Sequence, residues 1–104
     1  MQEKIRLLAS RRFYRLSCHQ FVCLKGREKF KERLLVDYAK KDGELYFLLE
    51  NVMTKDVIRL DDPKHSSYMF DLEKGAKYRL EIHAKQASGY YKIKKIYTKI
   101  AAKA

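Results

Sequence analysis

The sequence predicts a mainly β protein: a small barrel of five to six strands with a short helix at each end. Two patterns carry that expectation. Apolar and polar residues alternate over several stretches, most regularly at Ala76, Tyr78, Leu80, Ile82 and Ala84, so one face of each stretch is core and the other is wet. All four glycines stand beside such stretches, at Lys25-Gly26, Asp42-Gly43, Lys74-Gly75 and Ser88-Gly89, where turns are wanted. The length, 104 residues, allows one domain and excludes a two-domain enzyme.

Taken in order, residues 2–10 place Ile5, Leu8, Ala9 and then Phe13 at helical spacing, which predicts an N-terminal helix. From Phe13 the period becomes two: Tyr14, Leu16, Cys18, Val22 and Leu24 oppose Arg15, Ser17, His19 and Phe21. Gln20 interrupts the apolar row, as a bulge would. Residues 27–43 fit either a helix or a strand, and a polar loop over Arg27–Glu32 followed by a strand over Arg33–Ala39 is preferred. Lys40-Lys41-Asp42-Gly43 then reads as a hairpin turn into a strand over Glu44–Asn51. Val57–Leu60 is a short strand, or the end of the third, stopped by Asp61-Asp62-Pro63.

His65–Lys74 reads as a connector with one helical turn. Ala76–Lys85 and Tyr90–Lys94 form a closing hairpin in which Lys85 faces Lys92 and Ala84 faces Ile93. Ile93, Ile96, Tyr97, Ile100 and Ala101 return to helical spacing, predicting a C-terminal helix over 95–103. Over residues 13–97 this order of elements resembles the oligonucleotide/oligosaccharide-binding (OB) fold: a meander, an irregular connector and two closing strands. The resemblance is one of topology, and it implies a sheet face that binds nucleic acid.

Net charge points the same way. Lys and Arg number 24 against 13 Asp and Glu, giving +11 and a demand for an anionic partner. Residues 1–33 and 74–104 hold most of the excess, whereas the middle of the chain is acidic. The candidate nucleic-acid-binding residues are Arg11, Arg12, Arg15, Lys77, Arg79, His83, Lys85, Tyr90, Lys92 and Lys94. Phosphates would pair with the cations, and bases would stack on tyrosine. The expected function is therefore a non-enzymatic module for single-stranded DNA or RNA with low sequence preference. Its rival is a protein-interaction or assembly subunit, or a homodimer, docking through the terminal helices.

Other chemistries have little support. No glycine cluster forms a phosphate-binding loop. Asp61, Asp62 and Lys64 lie at a proline turn without a partner carboxylate for a nuclease cation. Cys18, His19 and Cys23 lack a second pair of ligands, so neither metal nor cofactor is expected, and two thiols do not make a disulfide framework. No apolar run has the about 20 residues of a membrane span. A cytoplasmic location is the resulting expectation.

Overall fold

A computed structural model describes residues 3–61 and 66–99. Five antiparallel strands make one sheet: β1 (Lys4–Lys25), β2 (Phe30–Asn51), β3 (Val57–Leu60), β4 (Ser66–Leu72) and β5 (Lys77–Lys99). The order is β1-β5-β2-β3, and β4 joins the same edge of β2 beside its first half. The sheet is thus open, with β1 at one edge and β3 and β4 in tandem at the other. β1 and β2 are not neighbours, in contrast to the meander expected from the OB resemblance.

β1, β2 and β5 run for 22, 22 and 23 residues. A straight strand of that length would span about 75 Å, yet the molecule measures 54 × 29 × 18 Å. The difference is a bend shared by all three. Register shifts interrupt β1 between Phe13 and Cys18, and β2 between Lys40 and Glu44. Positive φ angles fall at Arg15, Gly43, Gln86 and Gly89. Extra residues at such bulges reverse the alternation, so the inward set changes from Leu34, Val36 and Tyr38 to Leu45, Phe47 and Leu49 along β2. In β5 it changes from Leu80, Ile82 and Ala84 to Ala87, Tyr91 and Ile93.

The folded sheet encloses one apolar core. Its upper layer comprises the first halves of β1 and β2, the second half of β5, and β4. Its lower layer comprises the second halves of β1 and β2, the first half of β5, and β3. Tyr38 lies 4.9 Å from Phe47 across the bend, centroid to centroid. Side-chain hydroxyls satisfy backbone groups released there: Arg15 N–H donates to Ser88 Oγ and Gln86 N–H to Ser17 Oγ, each at 3.0 Å.

The opposite end is closed by two turns and a buried ion network. Gly26 N–H donates to the Ala76 carbonyl at 2.9 Å, and Gly75 N–H to the Gly26 carbonyl at 2.7 Å. Glu32, only 1% exposed, accepts from Arg27 N–H at 2.6 Å and from Arg27 Nε at 2.9 Å. Lys95 Nζ lies 3.0 Å from the same carboxylate and donates to the Lys25 carbonyl at 3.1 Å. Burial alone would raise the Glu32 carboxyl; the Arg27 and Lys95 hydrogen bonds outweigh it and hold the group below its ordinary value.

Several expected elements are corrected. No helix occurs among the described residues, so the terminal helices are not seen. Residues 4–10 are the start of β1, and residues 95–99 are the end of β5; Gln2 and residues 100–103 lie outside the described residues. The bulge between Leu7 and Ala9 accounts for the helix-like spacing at the start, because Leu8, Ala9 and Phe13 all pack on the core. At the other end, Ile93 is in the core whereas Ile96 is buried on the opposite face, paired with Ile5. Two covered faces imitate a three-residue period.

The expected turns at 40–43 and 86–89 are bends within β2 and β5, so Lys85 pairs with Glu44 rather than Lys92. Most of the expected connector, Ser66–Leu72, is strand β4, and β2 begins at Phe30 rather than Arg33.

Candidate nucleic-acid interface

Because β5 crosses the bend, the ten candidate residues do not share a face: seven divide between the two outer faces, and Arg11, Arg15 and Lys85 lie on neither. Lys77, Arg79 and His83 belong to the lower layer. Arg12, Tyr90, Lys92 and Lys94 belong to the upper one, where Arg12 pairs with Tyr90 and Ser10 with Lys92. Arg11 pairs with Tyr91, whose ring is core. Arg15 and Lys85 line a cleft of about 600 Å³ at the bend together with Asp42 and Glu44. With both signs of charge present, that cleft does not extend a basic surface.

The two chain ends nevertheless meet. β1 pairs with β5 from Lys4 opposite Tyr97 to Phe13 opposite Gly89, which brings the basic termini together. β1 carries six Lys and Arg side chains and no carboxylate. The part of β5 beside its first half adds Lys92, Lys94 and Lys99, again without a carboxylate, while Lys95 turns inward to Glu32. The result is a band of positive charge along an open sheet edge. Cations also protect such an edge from pairing with another strand.

The aromatic residues near this band are distributed unequally. Phe13 packs against Tyr91 at 6.0 Å. Tyr14 instead is 74% exposed at the bend, with the Arg15 guanidinium 5.3 Å from its ring centroid. Tyr90 is half-buried within the strand rather than at a hairpin tip. Only Tyr14 of the three offers a largely free ring.

The outer face of the lower layer holds an arrangement that the sequence reading missed. Phe21, His19, His83, Tyr46 and Arg59 form a row across four strands. His19 stacks on His83 at 3.9 Å, and His83 on Tyr46 at 4.5 Å with 7° between the ring planes. Arg59 lies 4.0 Å from the Tyr46 centroid, and Phe21 is 4.6 Å from His19. The inner rings cover one another's faces, which leaves them unsuited to stacking on bases.

Glu81 lies in the same row's margin. Its Oε1 is 3.1 Å from His19 Nε2 and 3.8 Å from His83 Nε2. The second distance is too long for a hydrogen bond, and His83 Nε2 is buried without a hydrogen-bond partner. An unpaired buried polar atom costs about 1–3 kcal/mol. Burial, and after it the facing His19, hold the His83 imidazole below its ordinary value of 6.5 against the opposing pull of Glu81. The signal available in the sequence was the alternation of His83 with Ile82 and Ala84, but the partner strand 64 positions away was not legible.

The two free thiols occupy different environments: Cys18 packs against the core, and Cys23 is exposed.

Neither a known protein family nor a curated protein matches the chain. Among solved structures it is similar to a family two carbohydrate esterase from Cellvibrio japonicus, with 11% sequence identity and a TM-score of 0.41. That likeness covers 96% of this chain and 35% of the esterase chain, so the protein spans about a third of the other's length. A similarity of this degree carries neither residues nor activity across.

Proposed function

We propose that this protein is a non-enzymatic module that binds single-stranded nucleic acid with low sequence preference along the band formed by β1 and the second half of β5. The observation that supports the reading is the acid-free first half of β1, whose Lys4, Arg6, Arg11 and Arg12 lie beside the stretch of β5 that carries Lys92 and Lys94. Lys4, Arg6 and Arg11 share the face of their partners Tyr97, Lys95 and Tyr91, and Arg12 shares that of Tyr90, Lys92 and Lys94, so a phosphate backbone following the edge would meet cations on both of its sides. Release of condensed counterions supplies most of the affinity in such binding, and it requires no reading of base edges. Tyr14, exposed beside Arg12 and Arg15, would stack on one base.

Fluorescence anisotropy with single- and double-stranded oligonucleotides at two salt concentrations tests the reading. Binding should favour the single strand and weaken steeply with salt. Replacing Lys92 and Lys94 together by Glu should weaken it far more than replacing Lys40 and Lys41, which sit at the β2 bend. Equal losses from the two pairs, or no binding at low salt, would refute it.

A protein partner is the second reading, and one observation favours it. Leu7, Lys94, Leu35 and Met69 stand in register across the four strands of the upper layer's outer face. Leu7 is 57% and Met69 47% exposed. This row, apolar except for Lys94, replaces the terminal helices as the candidate docking surface. Light scattering on the chain and on Leu7→Glu/Met69→Glu tests self-association: a dimer abolished by the substitutions would support it, and a monomer at every concentration would remove the homodimer.

A further inference from the structure

We propose that His19, Glu81 and His83 bind a first-row divalent transition cation of the Zn²⁺ type on the outer face of the lower layer. The three donor atoms lie within 4.8 Å of one another. His19 and His83 face each other directly across the β1–β5 pairing, and Glu81 stands two residues before His83 on the same face. Their places are therefore set by the backbone ladder rather than by a loop. A tetrahedral zinc ion with bonds of about 2.0–2.2 Å holds its donors about 3.3–3.6 Å apart. Present separations of 3.1 and 3.8 Å from Glu81 Oε1 to the two imidazoles bracket that range.

The donor set selects the cation. Two imidazoles and one carboxylate suit zinc, cobalt, nickel or copper, whereas calcium and magnesium favour oxygen donors throughout. His83 Nε2 is a second, independent pointer, because it is a buried ligand atom with no hydrogen bond to give up. On binding, the proton between His19 Nε2 and Glu81 Oε1 leaves to solvent, and both atoms turn their lone pairs to the metal. The nearby arginines do not oppose this with free charge: Arg59 pairs with Asp61 at 3.0 Å and Arg79 with Glu50 at 3.2 Å. His19 lies at the exposed side of the site, where a fourth position can take water or an anionic ligand. Ligation would also clamp the edge strand β1 to β5.

The inference does not depend on nucleic-acid binding, and its test is separate. Calorimetric titration of the untagged chain with Zn²⁺ should give one cation per chain, reversed by EDTA. Co²⁺ should produce visible d–d absorption, and Mg²⁺ and Ca²⁺ should give no response. His19→Ala, His83→Ala and Glu81→Gln should each lower affinity at least tenfold, and Cys23→Ala should leave it unchanged. The unaltered chain provides a readout that does not rely on folded variants: Zn²⁺ should shift the imidazole NMR resonances of His19 and His83 and spare those of His65. Absence of binding to the unaltered chain overturns the proposal, as does binding that shifts His65 or is lost with Cys23.

Discussion

The Tyr91 hydroxyl donates a 3.0 Å hydrogen bond to Gln20 Oε1, 71 positions earlier in the chain. Tyr91 belongs to the upper layer and Gln20 to the lower, so this bond ties together the two layers of a sheet folded on itself. It also explains why a polar residue interrupts the apolar row of β1. Burial pushes the Tyr91 phenol above its ordinary value of 10.0, so it stays a donor at neutral pH. Tyr91→Phe removes that donor while keeping the ring between Phe13 and Phe47, at a cost of about 1 kcal/mol. Tyr91→Ala removes the ring as well and should cost about 3–5 kcal/mol. Urea denaturation of the two variants separates the bond from the packing; equal losses would deny the bond its role.

Acid stability should depend on Glu32. Its folded-state value is depressed, so the carboxylate stabilises the fold above its ordinary value of 4.5, and that contribution is lost as pH falls below it. Breaking a buried ion network by removing one partner typically costs about 3–5 kcal/mol. Glu32→Gln should therefore destabilise at neutral pH by a loss of that order, since Arg27 and Lys95 lose their shared anion. It should also flatten the decline in stability below pH 4.5. Denaturant midpoints measured from pH 7 to pH 3 check both; a variant with an unchanged acid slope would show that other carboxylates carry it.

The bend permits little at two glycines. Gly43 has φ of +77°, and a Cβ there would lie 2.1 Å from the Gln86 carbonyl oxygen. At Gly89, φ is +153° and the added atom would lie 2.0 Å from the Ala39 carbonyl oxygen. Both obstacles are backbone of the adjoining strand, which cannot move without breaking the sheet. Gly43→Ala and Gly89→Ala should each cost more than the about 1–3 kcal/mol of backbone strain alone. Thermal unfolding measures the loss, and a shift of only a degree or two would mean that the bend is more pliant than its geometry implies.

These bends also separate what was legible in the sequence from what was not. Strict alternation at Ala76–Ala84 marks a strand, and β5 begins there at Lys77; Arg33–Ala39, which fits a helix as well and is preferred as strand, lies within β2. Turn chemistry misled where Gly43 and Gly89 permit a corner within a strand instead of reversing the chain. Local patterns do not distinguish the two, because both require positive φ and both are flanked by alternating residues. Helical spacing misled at the termini for a related reason: a bulge, or a strand covered on both faces, yields apolar residues three apart. The basic ends were visible in composition, and their pairing is present. Their division between two faces, and the meeting of His19 with His83, depend on long-range register that no single segment encodes.

Charge placement yields a comparison between the two faces. Lys92 and Lys94 lie on the upper layer between β1, which has no acid, and β2, where Asp37 stands opposite Lys92; Lys77 and Arg79 lie on the lower layer, where Glu50 pairs with Arg79 at 3.2 Å. Under the proposed binding mode, Lys92→Glu/Lys94→Glu should lower affinity for a single-stranded oligonucleotide at least tenfold more than Lys77→Glu/Arg79→Glu. Each lost phosphate contact should also reduce the salt slope by about 1. Anisotropy titrations over a salt series give both quantities. The reverse order of losses would move the interface to the lower face.

Tyr14 separates stacking from charge. The ring is largely solvent-exposed and absent from the core, so Tyr14→Ala should change stability by less than about 0.5 kcal/mol. Stacking of one base on an aromatic side chain contributes about 1–3 kcal/mol, which corresponds to a five- to 150-fold loss of affinity on removal. The salt slope should stay unchanged, because no phosphate contact is lost, and Tyr14→Phe should restore binding, because the ring rather than the hydroxyl does the stacking. Anisotropy at fixed salt, paired with a denaturation curve, resolves the cases. If Tyr14→Ala binds as tightly as the unaltered chain, recognition along the β1 edge is electrostatic alone, and the preference for single strands loses its physical basis.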